Sequence, residues 1–396
     1  MRPASGCKLF GAYQALGGIQ DGVVLLHSVV GCNFGSMSLH VAQDMRDIRQ
    51  TCTVISDSDV VFSGEASLER AVRSALELFQ PSVLFVVSGC VSEMIGDDIP
   101  AVLARIPHEA PLLHVEAAGF RGDAARGLEA GWLALLPLMK PPVPRPYPRP
   151  YPRSDPRPLV NLIGLGMDDP HAADDVEALR AMLAPQAALG AGLSRCTRDD
   201  VNLVLRGKGR ELAQAMKEYF GIPWEELDYP YGAAGADDLW SRLERRFGLD
   251  YHQARAELDR QIAEGAGKAY RYLQALYGMP AAILASGPRA DGLRRFLEQE
   301  LGMEVVCFAR REELSDQEDF YRELRGSEAA LLFGSSFEQD GADELEIPLI
   351  RMDYPVFDEV CLTPRPHLGG QGTLHLLEDI FRGIMNGRTL KGALYQ

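Results

Sequence analysis

Short apolar runs bounded by small or turn-forming residues alternate along this chain with longer stretches that have helical spacing. VVLLHS at 23–28 and SVLFVVS at 82–88 are short, apolar and rich in β-branched residues, so both are expected as buried strands. EASLERAVRSALELF at 65–79 and the stretch from Ser92 to Arg105 are expected as helices. Strands separated by helices need crossover connections, which gives βα units and a parallel sheet.

The stretch PPVPRPYPRPYPRSDPRP at 141–158 excludes both a helix and a central strand, because proline removes backbone donors and fixes φ. It reads as an extended connector. Beyond it the pattern restarts with LVNLIGLG at 159–166, the helix DDVEALRAMLA, the strand DVNLVLR and the helix KGRELAQAMKEYFG, ended by Gly221 and Pro223. From Met279 a third cycle runs through PAAILASG, the helix ADGLRRFLEQELG, and the strand segments MEVVCFA, EAALLFGSS and IPLIRMDYP. The expected fold class is α/β, with three Rossmann-like domains on parallel sheets. The expected divisions are 1–140, a linker at 141–158, then 159–277 and 278–396.

Composition narrows the function classes. With 396 residues and 46% hydrophobic content, the chain has material for several full cores. A formal net charge of -16 and the lack of a basic cluster argue against nucleic acid as a partner. Apolar runs such as Val83 to Val87 and Trp132 to Met139 fall short of the roughly 20 residues that span a bilayer. The N-terminus has no signal-peptide pattern, and seven cysteines without paired spacing suit a reduced compartment, so a cytoplasmic protein is expected.

The candidate chemistry lies in Cys7, Cys32 and Cys90, each at a turn where a strand or glycine-rich segment gives way to a helix. Thiolates that hold metal favour such places, because helix N-termini offset negative charge. In open parallel sheets, ligands also collect beyond the carboxyl ends of the strands. The cysteines are too far apart for a zinc finger or a local ferredoxin loop, and there is no CxxC pair. A site made from them has to be assembled by tertiary folding, and three soft ligands leave an iron–sulfur cluster incomplete unless a partner chain contributes. An α/β protein that binds a sugar or nucleotide, with incidental cysteines, is the alternative at this level. There is no Walker motif, and GLGMDD after the strand at 160 is not a dinucleotide fingerprint.

Four segments carry a family resemblance: GCKLFGAYQALGGI around Cys7, LLHSVVGC, TCTVISDSDVVFSGEASLERAV and SGCVSEMIGDDI. Together they are similar to the component 1 proteins of nitrogenases and nitrogenase-like reductases. Weaker likeness continues through NLVLRGKGRELAQAMKEYFGIPW at 202–224, IPLIRMDYPVFDE and HLGGQGT. The resemblance implies three Rossmann-like domains and a P-type cluster (8Fe-7S) shared with an α-like catalytic subunit in an α2β2 assembly. Cys7, Cys32 and Cys90 would be this chain's ligands, with a 4Fe-4S cluster as the alternative. It also implies an ATP-dependent homodimeric iron protein as the electron donor.

Departures from the family pattern refine the expectation. Leu205 and Arg206 stand where catalytic α subunits carry the cofactor cysteine, which points to a β-like chain. The segment at 112–123 lacks the serine that can ligate an oxidised P-cluster, and the chain starts almost directly at the cluster cysteine. A compact β-like chain of this kind most resembles the K subunit of methylthio-alkane reductase, which cleaves carbon–sulfur bonds reductively. The other members it brings in are nitrogenase β subunits, tetrapyrrole reductases and cofactor-assembly scaffolds.

The remaining residues take plainer expectations. Cys196, Cys307 and Cys361 read as small core residues, and Cys52 as a packing residue near the cluster. His27 is expected as a hydrogen-bonded core histidine, and His367 as structural or interfacial. Asp97 and Asp98 are expected as helix-capping residues. The tyrosines and arginines of 146–153 read as linker lying on a partner subunit.

Overall fold

The structure, a computed structural model, describes residues 6–38, 49–139, 157–165, 171–190, 196, 200–205 and 208–390. Residues 141–156 of the linker expected at 141–158 lie outside the described residues.

The first third contains β1 (Gly22–His27), β2 (Gln50–Cys52), β3 (Val83–Ser88) and β4 (Leu112–Glu116). Its helices are α1 (Lys8–Gly17), α2 (Val30–Ser38), α3 (Asp57–Phe62), α4 (Glu65–Phe79), α5 (Cys90–Ile95), α6 (Ile99–Arg105) and α7 (Ala124–Leu133). The second sheet consists of β5 (Leu159–Ile163), β6 (Ala188–Leu189), β7 (Val201–Leu205) and β8 (Trp224–Leu227). With it go α8 (Ala172–Leu183), α9 (Arg210–Phe220), α10 (Gly232–Phe247), α11 (His252–Gly267) and α12 (Tyr270–Gln274). The third has β9 (Pro280–Ala285), β10 (Glu304–Arg310), β11 (Leu331–Gly334) and β12 (Leu349–Arg351). It carries α13 (Gly287–Arg295), α14 (Gln317–Gly326), α15 (Gln339–Glu344) and α16 (Gly369–Leu390).

Each sheet is parallel throughout, and the strand order repeats: β2-β1-β3-β4, β6-β5-β7-β8 and β10-β9-β11-β12. The α/β class expected from the alternating pattern is therefore the one observed. In this order the chain leaves the first strand towards one edge and the third towards the other. The carboxyl ends of those two central strands then flank the point where connections diverge, the usual ligand crevice.

Alternate residues of β1 and β3 feed opposite apolar layers, which is why both strands read as continuous apolar runs. Val24, Leu26, Phe85 and Val87 pack towards α1 and α7, whereas Val23, Leu25, Leu84 and Val86 pack towards α4 and α6. One further core runs from the second sheet into the third, joining Leu203 and Trp240 to Ile283 and Phe333.

The helix expected over 65–79 is α4, residue for residue. The one expected from Ser92 to Arg105 is instead two helices, α5 and α6. Gly96 adopts φ 79° and ends α5 with its N–H on the Ser92 carbonyl, while Asp98 caps α6 through Ala101 N–H. α13 passes at Phe296–Glu300 into a wider helical turn.

Candidate functional site

The four strands of the first sheet end nearly in register. Leu26 pairs with Cys52, His27 with Ser88 and Ser88 with Glu116, so the segments that follow emerge side by side. Cys32 follows β1 and Cys90 follows β3, one on each side of the diverging crevice. Cys7 approaches from α1, for which it is the residue before the first turn.

Cys7 reaches this edge because α1 lies unusually close to α7. A Cβ on Gly11 would stand 1.8 Å from the Ala124 carbonyl oxygen, and one on Gly127 1.8 Å from that of Lys8. Only glycine allows the two backbones to touch there. Paired hydrogen bonds, Lys8 N–H to Gly122 O at 3.1 Å and Ala124 N–H to Gly6 O at 2.8 Å, tie Cys7 beside Asp123.

Cys90 opens α5 and receives the Gly119 N–H on its sulfur at 3.1 Å. Gly119 also touches Cys7: a Cβ there would lie 3.4 Å from Cys90 Sγ and 3.8 Å from Cys7 Sγ. The loop carrying Gly119 is held by Glu93, whose Oε1 accepts the Ala117 and Ala118 N–H groups, both at 2.9 Å, and the Ser88 hydroxyl at 2.8 Å. Arg121 closes the loop with an ion pair to Glu93 at 2.6 Å. Cys32 sits in the first turn of α2, which rests on α1 through Gly35 and Phe10. All three cysteines are half-buried.

Comparisons with known proteins bear on this arrangement. Residues 7–385 match the family model described as nitrogenase component 1 type oxidoreductase. The chain belongs to that family. It is 29% identical to a nitrogenase iron-molybdenum cofactor biosynthesis protein, NifE, of Methanosarcina barkeri, over 76% of this chain and 68% of that one. It is 24% identical to a nitrogenase molybdenum-iron protein beta chain of Methanococcus maripaludis, over 98% of this chain and 94% of that one. An alpha chain from Methanothermobacter marburgensis is likewise 24% identical, over 96% and 87%. The solved structure "Nitrogenase Cp1 at pH 6.5" shares the fold at TM-score 0.78 and 17% identity, over 98% of this chain and 93% of that one.

Further groups surround the thiols of this component 1 chain. Cys52 ends β2, where its Sγ donates to Ser28 O at 3.4 Å and accepts the Val54 N–H at 3.4 Å. Burial pushes its thiol up, against the hydrogen bonds with Val54 and Ser28, and Cys32 adds a smaller push in the same direction. His27 is fully buried, bonded through Nδ1 to Thr53 Oγ1 at 3.1 Å and through Nε2 to Asp97 Oδ2 at 3.0 Å. Desolvation holds its pKa below the ordinary histidine value, against the pull of Asp97. Asp98 caps a helix as expected, but Asp97 instead links His27 to Ser63 Oγ and the Gly64 N–H. Among the described residues, no three His, Cys, Asp or Glu side chains enclose a position for a single metal ion.

Large apolar side chains stand exposed on the segments that carry or flank the thiols: Phe34 on α2, Val61 and Phe62 on α3, Met94 on α5 and Phe120 beside Gly119. Such a concentration marks a surface meant to be covered. Cys196 and Cys307 are buried, as expected for core residues, whereas Cys361 is exposed after β12 and does not pack in a core.

Two polar clusters elsewhere were not apparent from the sequence. Beyond the third sheet, Arg311 binds Glu338 at 2.8 Å and Asp353 at 3.0 Å, and both carboxylates are almost fully shielded. Near α8, His171 and His367 have ring centroids 4.2 Å apart. Asp175 beside them accepts the His367 N–H at 2.6 Å and the Tyr229 hydroxyl, and burial raises its pKa to about 6. Both His367 ring nitrogens are buried and have no hydrogen-bond partner among the described residues, with Asp379 Oδ2 3.9 Å from Nε2. Arg206 lies outside the described residues, and Leu205 is buried at the end of β7.

Proposed function

We propose that this chain is the β-like, cluster-holding electron-relay subunit of a nitrogenase-like reductase, with Cys7, Cys32 and Cys90 as its ligands. The observation that carries this reading is the approach of Cys7 and Cys90 to one another at Gly119, on the edge from which Cys32 also emerges. A polynuclear cluster suits such a setting better than a single ion, because its ligand atoms lie farther apart. The Gly119 N–H already on Cys90 Sγ is the kind of donor that stabilises a thiolate.

Three thiolates on a half-open, apolar-rimmed face favour a P-type cluster (8Fe-7S) completed by an α-like partner in an α2β2 assembly. A 4Fe-4S cluster is the alternative. The bound group would supply reversible electron storage at low potential. The chain would supply the thiolates, the Gly119 donor and shielding from water. A separate ATP-dependent homodimeric iron protein fits as electron source, since no Walker motif occurs in this sequence. Methylthio-alkane reductase is the member proposed, in the cytoplasm, from the compact β-like pattern with Leu205 at the cofactor-cysteine position.

Anaerobic purification with the co-purifying partner, followed by iron and sulfide counts and EPR, tests this directly. About eight irons at the subunit interface support the P-type cluster, and about four move the reading to a tetrapyrrole-type reductase. Cys90→Ala should lose iron and reductive activity together. Full iron with full activity in that variant overturns the assignment.

A cofactor-assembly scaffold is the second reading, favoured by His367, a buried imidazole with no hydrogen-bond partner among the described residues and Asp379 Oδ2 3.9 Å from its Nε2. Under it, the purified complex would turn over no substrate with iron protein and ATP. His367→Ala would then release a second cofactor while leaving iron at the thiol edge.

A further inference from the structure

Ser28 follows β1 directly and is 1% exposed, yet its hydroxyl has no hydrogen-bond partner among the described residues. Neighbouring polar groups are paired. The Ser28 carbonyl accepts the Ile55 N–H at 3.1 Å, the Ser92 hydroxyl donates to His27 O at 2.8 Å, and the His27 ring is bonded on both sides. Burying a hydroxyl with nothing to bond is unfavourable, and alanine in its place would avoid the cost.

The position of the hydroxyl supplies a reason for keeping it. A Cβ on Gly89 would stand 2.3 Å from Ser28 Oγ and 3.3 Å from Leu9 Cδ1. Gly89 immediately precedes Cys90, Leu9 lies two residues after Cys7, and Ser28 itself starts the turn to Cys32. The unpaired donor therefore sits where the three cysteine-bearing segments meet. Gly89 in turn has to lack a side chain for the hydroxyl to occupy that place.

We infer that Ser28 donates a hydrogen bond to a sulfur of the bound iron–sulfur group and thereby raises its reduction potential, an inference that rests on the cluster reading above. Reduction adds negative charge to the sulfurs, so a donor stabilises the reduced state more than the oxidised one.

The test compares Ser28→Ala with wild type, each purified anaerobically with its partner, by iron count and by an EPR-monitored redox titration. The expected result is an unchanged iron count and a reduction equilibrium about tenfold less favourable, about 59 mV lower for a one-electron step. After chelator treatment, the stripped variant should melt no lower than stripped wild type, because no protein hydrogen bond has been removed. An unmoved midpoint at full iron overturns the inference and leaves the cluster reading intact. Iron loss in the variant overturns it as well, since a tuning donor is not needed for retention, and so does a lower melting temperature of the stripped variant. Wild-type protein without iron overturns the cluster reading itself, and this inference with it.

Discussion

The first and third sheets share one strand order, and in both the connections diverge at the carboxyl ends of two central strands, yet the two edges are filled in opposite ways. In the third, the groups close on one another. Ser286 after β9 donates to Asp353, Ser335 after β11 donates to Glu338, and Arg311 after β10 spans both carboxylates. In the first, Glu93 pairs with Arg121 and His27 with Asp97, but the cysteines and the Ser28 hydroxyl are left over, with large apolar side chains exposed around them. A repeated topology thus offers the same crevice in both of these sheets. Internal charge pairing fills one copy, whereas the other keeps free thiols.

This contrast can be broken from either side. The largest effect is expected from Arg311→Leu, which leaves Glu338 and Asp353 buried without their cation and should cost about 3–5 kcal/mol in denaturant unfolding. Iron per folded molecule should not change, because none of Cys7, Cys32 and Cys90 lies at this edge. Gly127→Ala attacks the other edge by forcing α1 away from α7, where the new Cβ would meet the Lys8 carbonyl oxygen at 1.8 Å. Its expected cost is about 3 kcal/mol, with iron falling in the protein that still folds, since Cys7 moves from Cys90. Phe34→Glu should have the smallest effect on folding, within about 0.5 kcal/mol, because the ring is 73% exposed. Size-exclusion chromatography of the co-expressed pair should nevertheless show weakened association. A variant that still elutes wholly as the complex would remove the apolar rim from the interface.

Much of the fold was legible in local pattern. α4 occupies the expected residues, β1 and β3 are the expected buried strands, and the three parallel sheets follow from the repeated alternation. The break between α5 and α6 was also written locally, in Gly96 and in the capping expected of Asp97 and Asp98, of which Asp98 alone caps α6. Cys361 shows the weakness of reading burial from residue type: cysteine is usually interior, yet no neighbouring element covers this one.

The candidate site was half legible. The residue types and turn positions of Cys7, Cys32 and Cys90 were plain, and so was the absence of a local metal motif that might hold them. Nothing local announced Gly119, Glu93 or Ser28, nor that Asp97 would bond His27 across the sheet edge instead of capping a helix.

By itself, then, the sequence determined the order of strands and helices, the α/β class and the kind of chemistry carried on the turns. Periodicity, turn residues and ligand type act within a few positions along the chain. Tertiary structure alone decided that Cys7 meets Cys90 at Gly119, that one sheet edge is sealed by Arg311 while the other keeps free thiols, and that the buried Ser28 hydroxyl has no partner among the described residues. Those outcomes depend on backbone approach and desolvation between segments far apart in the chain, which no local window contains.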